Sequence, residues 1–128
     1  MSIHLTDREL DVMSILWEKG SATVTEVREA LEDDLAYTTV LSVLQALELK
    51  THVRHETEGR AHRFFPTIER SAAEKRRIGR LLDKLYHGSR EVLITRLVSE
   101  EELSREELER IRDLIDERLG GADDGGDA

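Results

Sequence analysis

Residues Leu35 to Leu47 (LAYTTVLSVLQAL) carry no charged side chain. The chain has 128 residues, 37% of them Asp, Glu, Lys or Arg. Thirteen residues would therefore carry about five charges by composition alone. The stretch reads as a helix with a buried side, supplied by Val40, Leu41, Val43, Leu44 and Leu47. Its other side presents Thr38, Thr39, Ser42 and Gln45, all short, uncharged and able to hydrogen-bond. A carboxylate there would be repelled by phosphate. Hydroxyls and an amide can donate to phosphate oxygens and base edges, and a Thr methyl can meet a thymine methyl. Tyr37 and Thr38 fall in the first turn, where free backbone N–H groups favour an anion. The alternative is an ordinary central helix of a small three-helix domain. A fully buried helix would not line up four polar residues, however, and a solvated one would use Lys and Glu.

The segments before it are helical. Thr6 and Glu9 form a capping-box pattern, flanked by Leu5 and Leu10 as a hydrophobic staple. Leu10, Met13, Leu16 and Trp17 follow at helical spacing, and Gly20 stops that helix. Thr23 with Glu26 starts a second, carrying Val24, Val27, Ala30 and Leu31 on one side. Glu32-Asp33-Asp34 is a polar turn, and the third helix runs from about Ala36 to Leu49.

His52 to Thr57 and Arg60 to Phe65 read as two short strands, with Glu58-Gly59 as the two-residue turn between them. Three helices followed by a hairpin are the winged helix-turn-helix arrangement. Arg60, beside the tip, is placed to reach phosphate or enter a minor groove. His62 shares a strand face with Arg60 and Phe64, and phosphate contact or plain exposure is its expected state. His52, His55 and His62 raise the question of a metal. No Cys assists and the nearest carboxylates sit at the tip, so no metal site and no cofactor are expected.

From residue 67 to 119 the pattern is helical throughout. One amphipathic stretch carries Ile78, Leu81, Leu82 and Leu85, and His87-Gly88-Ser89 breaks it. The next helix holds Val92, Leu93, Leu97 and Val98. The last starts at a third capping box, Ser104 with Glu107, and carries Leu108, Ile111, Leu114 and Ile115. Three apolar stripes with little to cover them in their own chain predict a dimer, and readers of this type commonly bind palindromes as dimers. The expected organisation is mainly α: a winged-helix DNA-binding domain over 1–68, a helical dimerisation domain over 69–119 and a disordered acidic tail over 120–128.

Net charge is −9, but twelve acidic residues and four Arg from Glu100 onward hold −8 of it. The front of the chain is close to neutral, so its acidity does not exclude nucleic acid. No nucleophile motif, glycine-rich phosphate loop or metal spacing appears, so no enzyme is expected. The start, Met1-Ser2-Ile3-His4, has no signal-peptide pattern, and no apolar run approaches a membrane span. A cytoplasmic location is the expectation. A protein–protein adaptor using the winged-helix surface is the competing function, motivated by the net charge.

Four stretches together resemble the penicillinase-repressor family, the BlaI/MecI/CopY group of bacterial transcriptional regulators. They are LDVMSILW (Leu10 to Trp17), LAYTTVLSVLQAL, EGRAHRFFP (Glu58 to Pro66) and Tyr86-His87-Gly88-Ser89. The resemblance covers nearly the whole chain. It implies a homodimeric repressor on inverted-repeat operators, often with TACA/TGTA half-sites. It gives Tyr37, Thr38, Thr39 and Ser42 a DNA-contact role, Arg60 a wing role, and Leu81 to Tyr86 with Val92 to Leu119 a dimerisation role. It also implies an inducing protease as a partner of unknown identity. β-Lactam-responsive members are cut at an Asn–Phe bond in the penultimate helix, where this chain has Arg96-Leu97. Copper-responsive members carry a C-terminal cysteine hook, and this chain has no Cys.

Overall fold

The computed structural model describes residues 3–126, with side chains to position 121. Its elements are α1 (Asp7–Lys19), β1 (Ala22–Thr23), α2 (Val24–Ala30), α3 (Tyr37–Leu49), β2 (Val53–Glu58), β3 (Ala61–Pro66), α4 (Arg70–Tyr86), α5 (Arg90–Val98) and α6 (Arg105–Gly126). They divide into two compact units, Met1–Arg80 and Leu81–Ala128.

In the first unit the expected caps form. Thr6 Oγ1 accepts from Glu9 N at 3.1 Å while Glu9 Oε1 accepts from Thr6 N at 2.8 Å. Thr23 and Glu26 repeat the exchange at the start of α2. Each box satisfies two donors that a helix start would otherwise leave open. The core joins Val12, Met13 and Leu16 of α1, Val24 and Val27 of α2, Val40, Leu44 and Leu47 of α3, and Val53 and Phe64 of the hairpin. Two details of the stripes differ from expectation. Leu10 and Trp17 are only partly buried, with Val12 taking the inner position, and Ala30 is exposed at the end of α2.

The hairpin forms one residue further along than the sequence reading places it. Glu58 pairs with Ala61, so the loop is Gly59-Arg60 rather than Glu58-Gly59. Gly59 adopts φ 61°, the left-handed backbone that a glycine at the first loop position supplies. A two-residue strand absent from the sequence reading, β1, adds to the other edge of β3 through Ala22↔Phe64 and Thr23↔Arg63, giving the order β1-β3-β2. His52 is a second correction. It lies before β2, in the bend after α3, and is only 4% exposed.

The first compact unit extends beyond the residue at which the sequence reading ends the DNA-binding domain. It ends at Arg80, inside α4. Ala73 is buried in the core of this unit. Arg77 donates to Leu5 O at 2.9 Å and pairs with Asp7, and Arg80 Nη1 meets His4 Nδ1 at 2.9 Å. Trp17, the single tryptophan, donates its indole N–H to Ile68 O at 2.9 Å, and the Arg70 guanidinium lies over its ring.

In the second unit, Tyr86 is followed by two left-handed residues, His87 (φ 50°) and Gly88 (φ 82°). Gly88 N bonds back to Leu82 O, closing the end of α4. Ser89 then caps α5 by accepting from Val92 N at 3.2 Å. Ser104 and Glu107 form the expected box at α6. The helix continues to Gly126, past Gly120 where the sequence reading places a disordered tail. Gly120 and Gly121 keep helical rather than left-handed backbone, so neither ends it. Positions 127 and 128 lie outside the described residues.

Candidate nucleic-acid interface

The polar stripe of α3 stands in the open. Tyr37, Thr38, Thr39, Ser42 and Gln45 are all exposed, while Val40, Leu44 and Leu47 on the opposite side have no accessible surface. Thr38, Ser42 and Gln45 recur at i, i+4 and i+7, which stacks them along one line of the helix. α3 also starts differently from α1 and α2. Its N-cap is Ala36, which offers no side-chain bond, and its first turn holds no acidic residue. The first N–H groups of this helix therefore keep no local carboxylate or hydroxyl. One detail narrows the chemistry expected of the stripe. Ser42 Oγ donates to Thr38 O at 2.9 Å, so its proton is engaged within the helix and its lone pairs are what it presents outward.

The helix is fixed at both ends. At its start, Arg28 Nε donates to Leu35 O at 2.8 Å, and Arg8 holds Asp33 of the acidic turn at 2.7 Å. At its end, Lys50 Nζ reaches Glu9 Oε1 of α1 at 2.7 Å and His4 O at 3.1 Å. Burial pushes the Glu9 carboxyl up, but the Lys50 ammonium and the Thr6 bonds outweigh it and hold the carboxyl below its ordinary value.

On the wing the three arginines separate into different roles. Arg54 pairs with Glu56 at 2.9 Å and lies 4.3 Å from the Phe65 ring centre. Arg63 is engaged by Glu26 at 2.9 Å and by Glu58 at 3.1 Å, and these carboxylates, Glu58 foremost, push its pKa up. Arg60, exposed in the loop, has no ion pair among the described residues. It is the uncompensated positive charge of the hairpin.

The histidines also part company. His55 and His62 stack with ring centres 4.3 Å apart and planes 16° from parallel, and His55 Nδ1 lies 2.5 Å from Glu48 Oε2 of α3. His62 is exposed on β3. His52 is buried, and its Nδ1 has no hydrogen-bond partner among the described residues. Burial, and then the Lys50 charge, lower its pKa. No group of three His, Cys, Asp or Glu among the described residues is placed to hold a metal ion.

The apolar residues read as dimer contacts sit mainly on the surface. Ile78, Leu81, Leu85, Val92, Leu97, Leu108, Leu114 and Ile115 are exposed, and Leu93 and Ile111 are half-buried. Leu82 is the exception. At 2% exposure it is covered within its own chain and offers nothing to a partner.

The sequence reading missed the Glu26–Arg63 link, the Glu48–His55 link and β1. Glu26 was legible as a cap and Arg63 as a wing cation. No local pattern joins residues 37 positions apart.

A helix that turns an uncharged polar stripe outward and a core-packed side inward, flanked by a hairpin with a free arginine, defines a winged helix-turn-helix DNA-binding protein. Residues 5–117 match the family described as Penicillinase repressor. Among curated proteins, the transcriptional regulator BlaI of Mycobacterium tuberculosis is 36% identical over 125 residues, covering 92% of this chain and 87% of that one. The penicillinase repressor of Bacillus licheniformis is 25% identical over 116 residues, covering 89% and 91%. A solution structure of the DNA-binding domain of the repressor BlaI aligns at 30% identity with a TM-score of 0.49, covering 53% of this chain and 85% of that chain. The chain belongs to the penicillinase repressor family, whose members are DNA-binding transcriptional regulators and not enzymes. No helix among the described residues is long and apolar enough to cross a membrane.

Proposed function

We propose that this chain represses transcription in the cytoplasm as a homodimer on an inverted-repeat operator. Each copy lays α3 in the major groove of one half-site, with Thr38, Thr39, Ser42 and Gln45 toward the bases and Tyr37 with the first-turn N–H groups toward phosphate. Arg60 and His62 of the wing meet the flanking backbone. The observation that carries this reading is the exposed stripe of α3, free of carboxylates, opposite a side with no accessible surface. The exposed apolar residues of the Leu81–Ala128 unit support self-association, since leaving them in water is costly and a second copy supplies the same residues in return. Arg96-Leu97 stands where a cleaved Asn–Phe pair is found in β-lactam-responsive relatives, so an inducing protease, if it acts here, reads a different bond.

Gel-shift titration against a duplex bearing a TACA/TGTA inverted repeat tests the reading. Wild type shifts it with an affinity that falls steeply as salt rises. Thr39→Glu, at an exposed position, keeps the fold and loses binding by about tenfold to a hundredfold or more. No shift with any promoter fragment, or salt-insensitive association with a protein instead, would favour an adaptor.

A further inference from the structure

Arg63 is the most heavily engaged side chain of the wing. Its guanidinium has five N–H donors in a fixed fork. Nη1 donates to Glu26 Oε1 at 2.9 Å and to Ser21 Oγ at 3.4 Å. Nη2 donates to Glu26 Oε2 at 3.3 Å and to Glu58 Oε2 at 3.1 Å. Nε is shared between the two Glu58 oxygens at 3.2 and 3.3 Å. Every donor is taken, so none is left for a phosphate. One of its partners is itself committed elsewhere, because Glu26 Oε1 also accepts from Thr23 N as the cap of α2. Thr23 in turn pairs with Arg63 across β1 and β3. A single fork therefore ties the second strand of the wing to the start of α2 and to the first strand just before the loop that carries Arg60.

We propose, on the reading that the wing meets DNA, that Arg63 is a positioning residue: bridging Glu26 and Glu58, it sets the wing against the helix-turn-helix so that Arg60 and α3 engage one half-site together. It contributes to operator affinity without touching the operator. A Lys at 63 has one point charge and no fork, so it cannot serve both carboxylates in this geometry.

The sign of one substitution separates this from simple charge. Glu26→Gln removes a negative charge near a phosphate backbone while keeping an amide oxygen for the Thr23 cap. Electrostatics alone predicts tighter DNA binding. Positioning predicts weaker binding, because the bidentate charge-assisted pair is lost.

The experiment measures full-length protein against the TACA/TGTA duplex over a range of salt, with melting followed by circular dichroism. Arg60→Gln is expected to flatten the dependence of log K on log salt by about 0.9, one phosphate contact. Arg63→Gln is expected to weaken binding on the order of tenfold with the salt slope unchanged. Glu26→Gln is expected to weaken binding in the same direction, and the double variant to be no weaker than the worse single one. Should Arg63→Gln melt below the assay temperature, Glu26→Gln carries the test by its sign. A slope loss for Arg63→Gln equal to that of Arg60→Gln, or tighter binding by Glu26→Gln, overturns the positioning role and leaves the repressor reading standing. A wild type that shifts no duplex overturns both.

Discussion

Lys50 Nζ, just past the end of α3, lies 2.7 Å from Glu9 Oε1 on α1. Glu9 is among the few buried charged residues, and the ammonium is its only charged partner among the bonds described. The pair fastens the far end of α3 to α1. Lys50→Met should leave the carboxylate with the Thr6 N–H alone. The expected cost is about 2–4 kcal/mol, below the full value for a wholly buried pair because the lysine stem is partly exposed. Urea unfolding of the two proteins measures it, and a difference near zero would contradict the role given to the pair.

His52 makes stability depend on pH. The unfolded chain takes up a proton there near pH 6.5, the ordinary imidazole value. Burial and the Lys50 charge make the folded chain bind that proton only at lower pH, with the Glu9 carboxylate opposing them. Between the two values the unfolded state holds more protons. The contribution is therefore fully present above about pH 6.5 and is lost as the pH falls toward the folded-state value. The melting temperature should decline over that window in wild type, and His52→Leu should remove that step. Glu9 acts in a separate window. Its depressed carboxyl contributes above its ordinary value of 4.5 and loses that contribution as the pH falls through its folded-state value.

Leu114 is 66% exposed on α6, so its replacement disturbs little of the chain's own packing. Leu114→Asp should nonetheless give monomers at concentrations where wild type is dimeric. Operator affinity should drop by about a hundredfold or more, since two half-sites are no longer held together. Sedimentation and gel shift read the two effects. A wild type that is monomeric both free and on DNA would count against the dimer.

Phe64 anchors the wing, with 1% of its surface exposed and β1 and β2 paired on either side of β3. Phe64→Ala should cost about 3–5 kcal/mol by transfer and cavity terms. Phe65→Ala, on the other strand face under Arg54, should cost far less. Equal losses in thermal unfolding would mean that the alternation of the strand is misassigned.

What was legible in the sequence was local. The Thr6–Glu9, Thr23–Glu26 and Ser104–Glu107 boxes are each defined by a spacing of three, and all three form. The α3 stripe is a helical period plus a missing charge, and it emerges exposed as read. The hairpin turn slipped by one because Glu58-Gly59 and Gly59-Arg60 both contain the glycine, and only the pairing of Glu58 with Ala61 decides between them. His52 reads as strand from its neighbours, yet the bend after α3 places it inside. The boundary at Arg80 depends on Ala73, Arg77 and Arg80 meeting residues some seventy positions earlier or packing on the core they form. β1 is two residues long and exists only because β3 lies beside it. Arg63 was visible as a cation but its partners were not, since Glu26 approaches through the fold.

The lone indole at position 17 gives the molecule an optical label of its own. Its N–H rests on the Ile68 carbonyl, where the chain leaves the wing for α4. Emission from this one ring should shift when that joint loosens and stay constant when it does not. Repacking at the exit of the hairpin could thus be timed in unlabelled protein, during urea unfolding or on mixing with DNA, without any added dye.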